Sequence, residues 1–258
     1  MEKFSIVTGG ASGLGFEFVK LLLIDKYNVV VIDNDKKELN NIKSKINFKH
    51  NKKIILMHKD LSNPDSSIEI FKELKNKNIE VLINNAGFGL FGKFKDTNWK
   101  IERNMIMVHV MCTTEMTKLF LNNMIENKKG RILNMASLAA FQPGPLMSIY
   151  YSTKAFILHF SESISNELKG SGVTVTVLCP GQTKTNFQKK VSSKEKKINF
   201  NFSTAEEVAK YGYEAMMNGK TIAIPGIINK ILSTIHRFIP RSLTTKLMRK
   251  IQEKNRNS

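Results

Sequence analysis

The 258-residue chain predicts an α/β fold, a doubly wound parallel sheet of about seven strands with helices on both faces. Three observations predict it. Short runs rich in Val and Ile alternate with amphipathic helical stretches from Lys3 to Ile224. The first run feeds a glycine-rich turn, Thr8-Gly9-Gly10-Ala11-Ser12-Gly13-Leu14-Gly15, and then a helix. Small or polar residues follow the predicted strands, on the side where ligands bind in such sheets.

Taken in order, residues 3–7 read as a strand and 14–25 as a helix, with the glycine turn between them. Glycines let the backbone turn tightly and approach a pyrophosphate, and the helix amino terminus offers N–H groups and a positive dipole end. Strand 28–32 ends in Asp33, an acid about 20 residues past the turn and so placed to bond an adenosine ribose. Asp33 would repel a 2′-phosphate, which favours NAD. Lys36 and Lys37 leave room for NADP, and a turn aspartate before helix 35–48 is the other reading. Strand 53–57, helix 64–76 and strand 80–83 follow, the last running into Asn84-Asn85-Ala86-Gly87. A long helical pattern spans 98–126, then strand 131–135, helix 149–169 and strand 173–178, which enters Cys179-Pro180-Gly181. Residues 182–202 are basic and irregular with Phe187, Phe200 and Phe202, either a lid over an apolar substrate or a solvated loop. Helix 204–217 and strand 221–224 complete the pattern.

Ser137 ends an apolar strand, Tyr150 follows thirteen residues later, and Lys154 lies four residues beyond that. In a helix, i and i+4 share a face. A free tyrosine titrates near pKa ~10. A neighbouring ammonium lowers that value and readies the phenol for proton exchange with an alcohol or carbonyl oxygen. The Ser137 hydroxyl is placed to bond the same oxygen. A tyrosine beside a solvated lysine is the bland alternative.

Composition narrows the class. Cys112 and Cys179 lie apart in apolar contexts, as buried free thiols in a reducing compartment do. No signal peptide and no run approaching the ~18 apolar residues of a membrane span is visible, so a cytoplasmic protein is expected. The net charge of +18 reflects lysine spread along the chain, and no nucleic-acid motif accompanies it. No metal site is predicted.

Together, T-G-x-x-x-G-x-G (Thr8 to Gly15), N-N-A-G (Asn84 to Gly87), Ser137, Y-x-x-x-K (Tyr150, Lys154) and P-G (Pro180, Gly181) resemble the short-chain dehydrogenase/reductase family, in its order and spacing. The resemblance covers residues 3 to about 226 and implies a Rossmann-type domain over 1–226. It implies hydride transfer between a nicotinamide cofactor and a carbonyl or alcohol substrate, with Tyr150 as acid/base. Lys154 would tune Tyr150 and hold the nicotinamide ribose, and Ser137 would orient the substrate. Cofactor contacts carry over to Gly9, Ser12, Gly13, Leu14, Gly15, Asp33, Asp60, Leu61, Asn85, Ala86, Gly87, Pro180, Gly181, Thr183 and Thr185. Ser12 stands where NADP-preferring members often have a basic residue, in agreement with NAD. His109 stands where the family usually has an asparagine that serves a proton relay. Either the ring replaces the relay, or it is a core histidine and the chain binds NAD(H) with weak catalysis. Phe88, Phe91, Phe141, Leu146 and Phe187 near the expected cleft suggest an apolar substrate. By resemblance, a homodimer or homotetramer forms through the helices at 97–126 and 149–169.

The tail, 227–258, has apolar residues at helical spacing, a breaker at Pro240, and otherwise basic faces. From Asn229 onward it holds eight Lys/Arg against one acid, Glu253. Such a helix pair lies on an anionic membrane surface, or packs over the cleft or a second subunit.

Overall fold

The structure, a computed structural model, describes residues 2–46, 53–184 and 203–257. The β-branched runs form β1 (Phe4–Thr8), β2 (Asn28–Asp33), β3 (Ile54–His58), β4 (Ile79–Asn84), β5 (Gly130–Met135) and β6 (Val173–Leu178). Two further short strands, β7 (Thr183–Lys184) and β8 (Ser203–Thr204), pair with each other away from the main sheet, and β9 (Ile222–Ala223) closes its edge. The seven-stranded sheet has the order β3-β2-β1-β4-β5-β6-β9, parallel throughout, as predicted. The β7–β8 pair was not expected, because two-residue strands are too short to show a period of two.

Between the strands run α1 (Gly13–Ile24), α2 (Lys36–Asn40), α3 (Ile42–Lys45), α4 (Ser66–Leu74), α5 (Trp99–Ile106) and α6 (Thr113–Glu126). After β5 come α7 (Ser148–Glu167), α8 (Ala205–Met217), α9 (Ile227–Ile235) and α10 (Arg241–Asn257). Side chains alternate across each strand. Val7, Val29, Val31, Ile83 and Leu133 therefore face one core layer with Leu22 of α1 and Val208 of α8. Ile6, Val30, Ile32, Leu82 and Ile132 face the other, with Ile70 of α4 and Phe120 of α6. With both faces covered, β1 and β4 are buried along their whole length.

Two helical expectations are corrected. The helix expected over 35–48 starts after Asp35, whose carboxylate caps it by accepting from the Glu38 N–H at 3.0 Å, and it is interrupted at Asn41. Asn and Asp bond local backbone readily, which favours caps over helix interiors. The stretch expected as one helix over 98–126 contains a π-helical turn, Met107–Cys112, between α5 and α6. Such wide turns are frequent at functional sites, and this one carries His109.

Candidate active site

Three elements bring the catalytic candidates together. Ser137 follows β5, and its hydroxyl accepts from the Ala139 N–H at 3.1 Å, which fixes it at the mouth of a short 3₁₀ turn, Leu138–Phe141. Tyr150 lies in the first turn of α7, and its phenol is hydrogen-bonded to the Ser137 side chain. Lys154, one turn along, donates to the Met135 carbonyl at 2.7 Å, with its Nζ 5.8 Å from the Tyr150 ring centre.

The electrostatics differ from the expectation that Lys154 lowers the Tyr150 pKa. Part of Tyr150 reaches the surface, but its phenol end lies deep, and burial pushes it up to about 12, against the opposing bond from Ser137. Burial also draws Lys154 down to about 7. Desolvation disfavours both charged forms, and the ammonium spends its bond on a backbone carbonyl. Tyr150 is therefore a protonated acid across the neutral range. Cys179, at the end of β6, is a buried free thiol, as expected of both cysteines, and lies close enough to Lys154 for their charges to interact.

His109 is fully buried. Its Nε2 accepts the Phe88 N–H at 3.1 Å, so the ring's proton sits on Nδ1, which donates to Thr153 Oγ1 at 2.9 Å. The Thr153 hydroxyl donates in turn to the Tyr150 carbonyl at 2.8 Å. The ring also meets Tyr150 edge-on, with centres 6.0 Å apart. Both nitrogens are committed, and the residue clamps the loop after β4 to the first turn of α7. That makes His109 a positioning residue in this structure. Burial, then the charge of Lys154, holds its pKa well below the ordinary histidine range.

His109→Ala is expected to lower stability by about 2–4 kcal/mol, from the lost volume and the orphaned Phe88 N–H. The sign with pH follows. The unfolded imidazole gains a proton below about pH 6.5 while the folded one stays neutral, so acidification destabilises the wild type. The alanine variant lacks that penalty, and urea unfolding either side of that pH should show the gap between the two proteins narrowing in acid.

The turns that follow β1 and β4 form a cradle of backbone. Gly9 and Gly13 have φ of +62° and +54°, in the left-handed region that favours glycine. A Cβ on Gly15 would collide with the Gly9 carbonyl. Asn85 Nδ2 donates to the Thr8 and Gly9 carbonyls, both at 3.0 Å, and Thr8 Oγ1 accepts from the Asn85 and Ala86 N–H groups, both at 3.0 Å. The glycine turn and the N-N-A-G loop are thus tied into one surface, with Ser12 and Leu14 beside it at the start of α1. No Ser12 side-chain bond occupies the helix end, which leaves the first-turn N–H groups for a phosphate. Asp33 ends β2, its oxygens accepting from Ala11 N–H and Asp35 N–H at 3.0 Å each. Each oxygen retains a lone pair for a ribose hydroxyl. These residues fit a dinucleotide.

The remaining sites divide. Asp60 is exposed and its carboxylate accepts from Ser62 N–H at 2.9 Å, while Leu61 is buried in the core. Pro180 accepts the Leu138 N–H at 3.0 Å, which joins the P-G loop to the Ser137 segment, and Thr183 donates to the Gly181 carbonyl at 3.3 Å. Leu146, at φ +68°, and Tyr150 share the lining of one small cavity. Phe141 packs between the Ile157–Val177 core and the His236 ring, 6.2 Å away. Thr185 and Phe187, with the lid expected over 182–202 from Thr185 on, lie outside the described residues.

Sequence reasoning missed the supports. Asn84 Nδ2 donates to Asn134 Oδ1 at 2.9 Å, and Asn134 Nδ2 donates to Ser161 Oγ at 2.9 Å, a buried chain joining β4, β5 and α7. A polar Asn inside the apolar run of β5 was its one visible signal. Thr153 gave none.

A family model described as short chain dehydrogenase matches residues 3–196. The chain is 27% identical over 262 residues to the very-long-chain 3-oxoacyl-CoA reductase of Mus musculus, covering 100% of this chain and 82% of that protein. It is 29% identical over 272 residues to 17-beta-hydroxysteroid dehydrogenase type 3 of Mus musculus, covering 98% and 86%. A solved short-chain dehydrogenase from Sphingobium yanoikuyae, in complex with NADPH, superimposes with a TM-score of 0.83 at 21% identity, covering 93% of this chain and 94% of that one. That structural likeness shows the fold. The family model covers about three quarters of the chain, and the chain belongs to the short-chain dehydrogenases/reductases.

Proposed function

We propose that the protein reduces the carbonyl of an apolar substrate with NADH. The observation that carries the reading is the arrangement of the Tyr150 phenol, bonded to Ser137, with Lys154 buried one turn along the same helix. A phenol protonated across the neutral range is an acid, which suits reduction. A nicotinamide held in the cradle would supply the hydride. Tyr150 gives its proton to the carbonyl oxygen, Ser137 orients that oxygen, and the Lys154 ammonium stabilises the phenolate left behind. Glycines 9, 13 and 15, Ser12, Asp33 and the backbone of residues 85–87 are the groups that would hold the dinucleotide.

The apolar substrate is supported by Phe91 and Tyr150, which pack on Ala139, Met147, Tyr151 and Met248 beside the catalytic serine. The mouse relatives are named for a very-long-chain 3-oxoacyl-CoA and for a 17-beta-hydroxysteroid, which gives the first substrates to try. The second reading, a weak NAD(H) binder, rests on His109, whose two ring nitrogens are both committed, to Phe88 and to Thr153. Exposed Trp99, Ile101, Met111 and Phe156, on the α5–α6 stretch and α7, support a homo-oligomer.

The test follows NADH and NADPH oxidation by absorbance against long 3-oxoacyl thioesters, steroid ketones and simple aldehydes. Turnover with NADH is expected, and tight NADH binding with no turnover on any substrate would overturn the proposal. Asp33→Asn removes a charge while keeping an acceptor. It is expected to narrow the preference for NADH over NADPH on the order of 100-fold, the effect of a carboxylate a few ångströms from a phosphate. An unchanged ratio of kcat/KM values would remove Asp33 as the selector.

A further inference from the structure

The burial of the tail is inverted. Along α9, the following 3₁₀ turn His236–Phe238 and α10, the buried side chains among the described residues are Ser233, Thr244, Met248 and Gln252. The large apolar ones, Ile227, Ile228, Ile231, Leu232, Ile235, Phe238, Leu243, Leu247 and Ile251, are 40–83% exposed. A helix pair that only packs on its own domain does the opposite. The inner face is fixed in place: Gln252 Nε2 donates to the Tyr151 hydroxyl at 2.7 Å, and Met248 packs on Ala139, Met147 and Tyr151.

The outward face combines two chemistries. Leu243, Leu247 and Ile251 recur every four residues on α10, and Lys246, Lys250 and Lys254 recur at the same interval beside them. Residues four apart stack on one face, so an apolar row runs alongside a row of lysines. Lys230, Arg237 and Arg241 add charge toward α9, and the tail's one acid, Glu253, is paired with Arg249 at 2.9 Å. No helix among the described residues is long and apolar enough to cross a membrane. We propose that this face docks on an anionic lipid surface, α9 and α10 lying in its plane with Phe238 and the Ile/Leu row immersed among the acyl chains and the lysines on the headgroups. Apolar immersion with basic contact is what an interfacial helix provides. A second copy meeting the same face across a two-fold axis would set one basic tail against another, which disfavours that occupant.

The test is co-sedimentation at low salt with vesicles of phosphatidylcholine alone and of phosphatidylcholine with phosphatidylserine. Binding is expected to the second and weakly or not at all to the first. Reversing two lysines, Lys246→Glu with Lys250→Glu, should lower partitioning about 30-fold or more. Ile231→Asp with Phe238→Asp should abolish it, with thermal melts showing both variants folded. Equal pelleting with both vesicle types, or with neither, overturns the proposal. So does a change of sedimentation coefficient in the Ile231/Phe238 variant without vesicles, which would make the face a subunit contact. Vesicle binding needs no turnover, so its outcome is read independently of the reductase assay.

Discussion

Tyr150→Phe is expected to lower kcat/KM for carbonyl reduction by about 10²–10⁴-fold, the contribution of a positioned general acid. The ring, its edge contact with His109 and its place in the first turn of α7 survive the change. NADH affinity, read by fluorescence titration, should therefore stay within a few-fold of wild type while turnover collapses. The pH behaviour sharpens the prediction. With the phenol pushed up to about 12, reduction meets a protonated acid at every neutral pH and needs no prior protonation of Tyr150. Oxidation of the corresponding alcohol needs the phenolate and should accelerate as pH rises. Pre-steady-state rates in both directions across pH test this. A phenylalanine variant that retained most of its turnover would assign the proton to another group.

Lys154→Met should move stability and activity in opposite directions. A buried lysine with a pKa of about 7 is held against its preference for water. The sign is opposite to that of an ion-paired lysine. Between about 7 and the unfolded value near 10.4, the unfolded chain binds the extra proton, so wild-type stability rises with pH across that window and is poorest below it. Methionine removes the penalty and keeps the volume, at the cost of the bond to the Met135 carbonyl. The net expectation is a gain of about 2–3 kcal/mol at and below neutral pH, fading toward pH ~10. That corresponds to several degrees in Tm for a chain of this size. Turnover falls about 100-fold or more, because the phenolate formed in reduction loses its stabilising charge. Thermal melts of both proteins across this pH range, beside the rate assay, decide it. Equal stability at every pH would mean that the ammonium is better hydrated than its burial implies.

What could be read from the chain is what is local. The glycine turn, Asp33, the N-N-A-G loop and Y-x-x-x-K each depend on a few consecutive residues, and a parallel sheet of about seven strands followed from strands alternating with helices. Features set by packing could not be read. Apolar residues at 105, 108, 112 and 116 fit an ordinary helix, so nothing in their spacing announces the π turn at Met107–Cys112. The short β7–β8 ladder depends on bringing together residues twenty apart in sequence. The Tyr150 pKa went opposite to expectation because proximity is visible in a motif and desolvation is not. The role of His109 rests on two partners, Phe88 and Thr153, one twenty-one residues before it and the other forty-four after.

The wide turn also binds two positions into one inheritance. A methyl group on Gly87 would come within 2.6 Å of His109 Nε2. The bare α-carbon at 87 and the full imidazole at 109 are therefore complementary halves of a single contact, one supplying the space the other fills. A mutation at either site is judged by what already occupies the other: enlarging 87 is tolerable only after 109 has shrunk, and shrinking 109 first leaves a hole beside 87. The two codons change as a pair, and the pair passes through a less stable protein in either order.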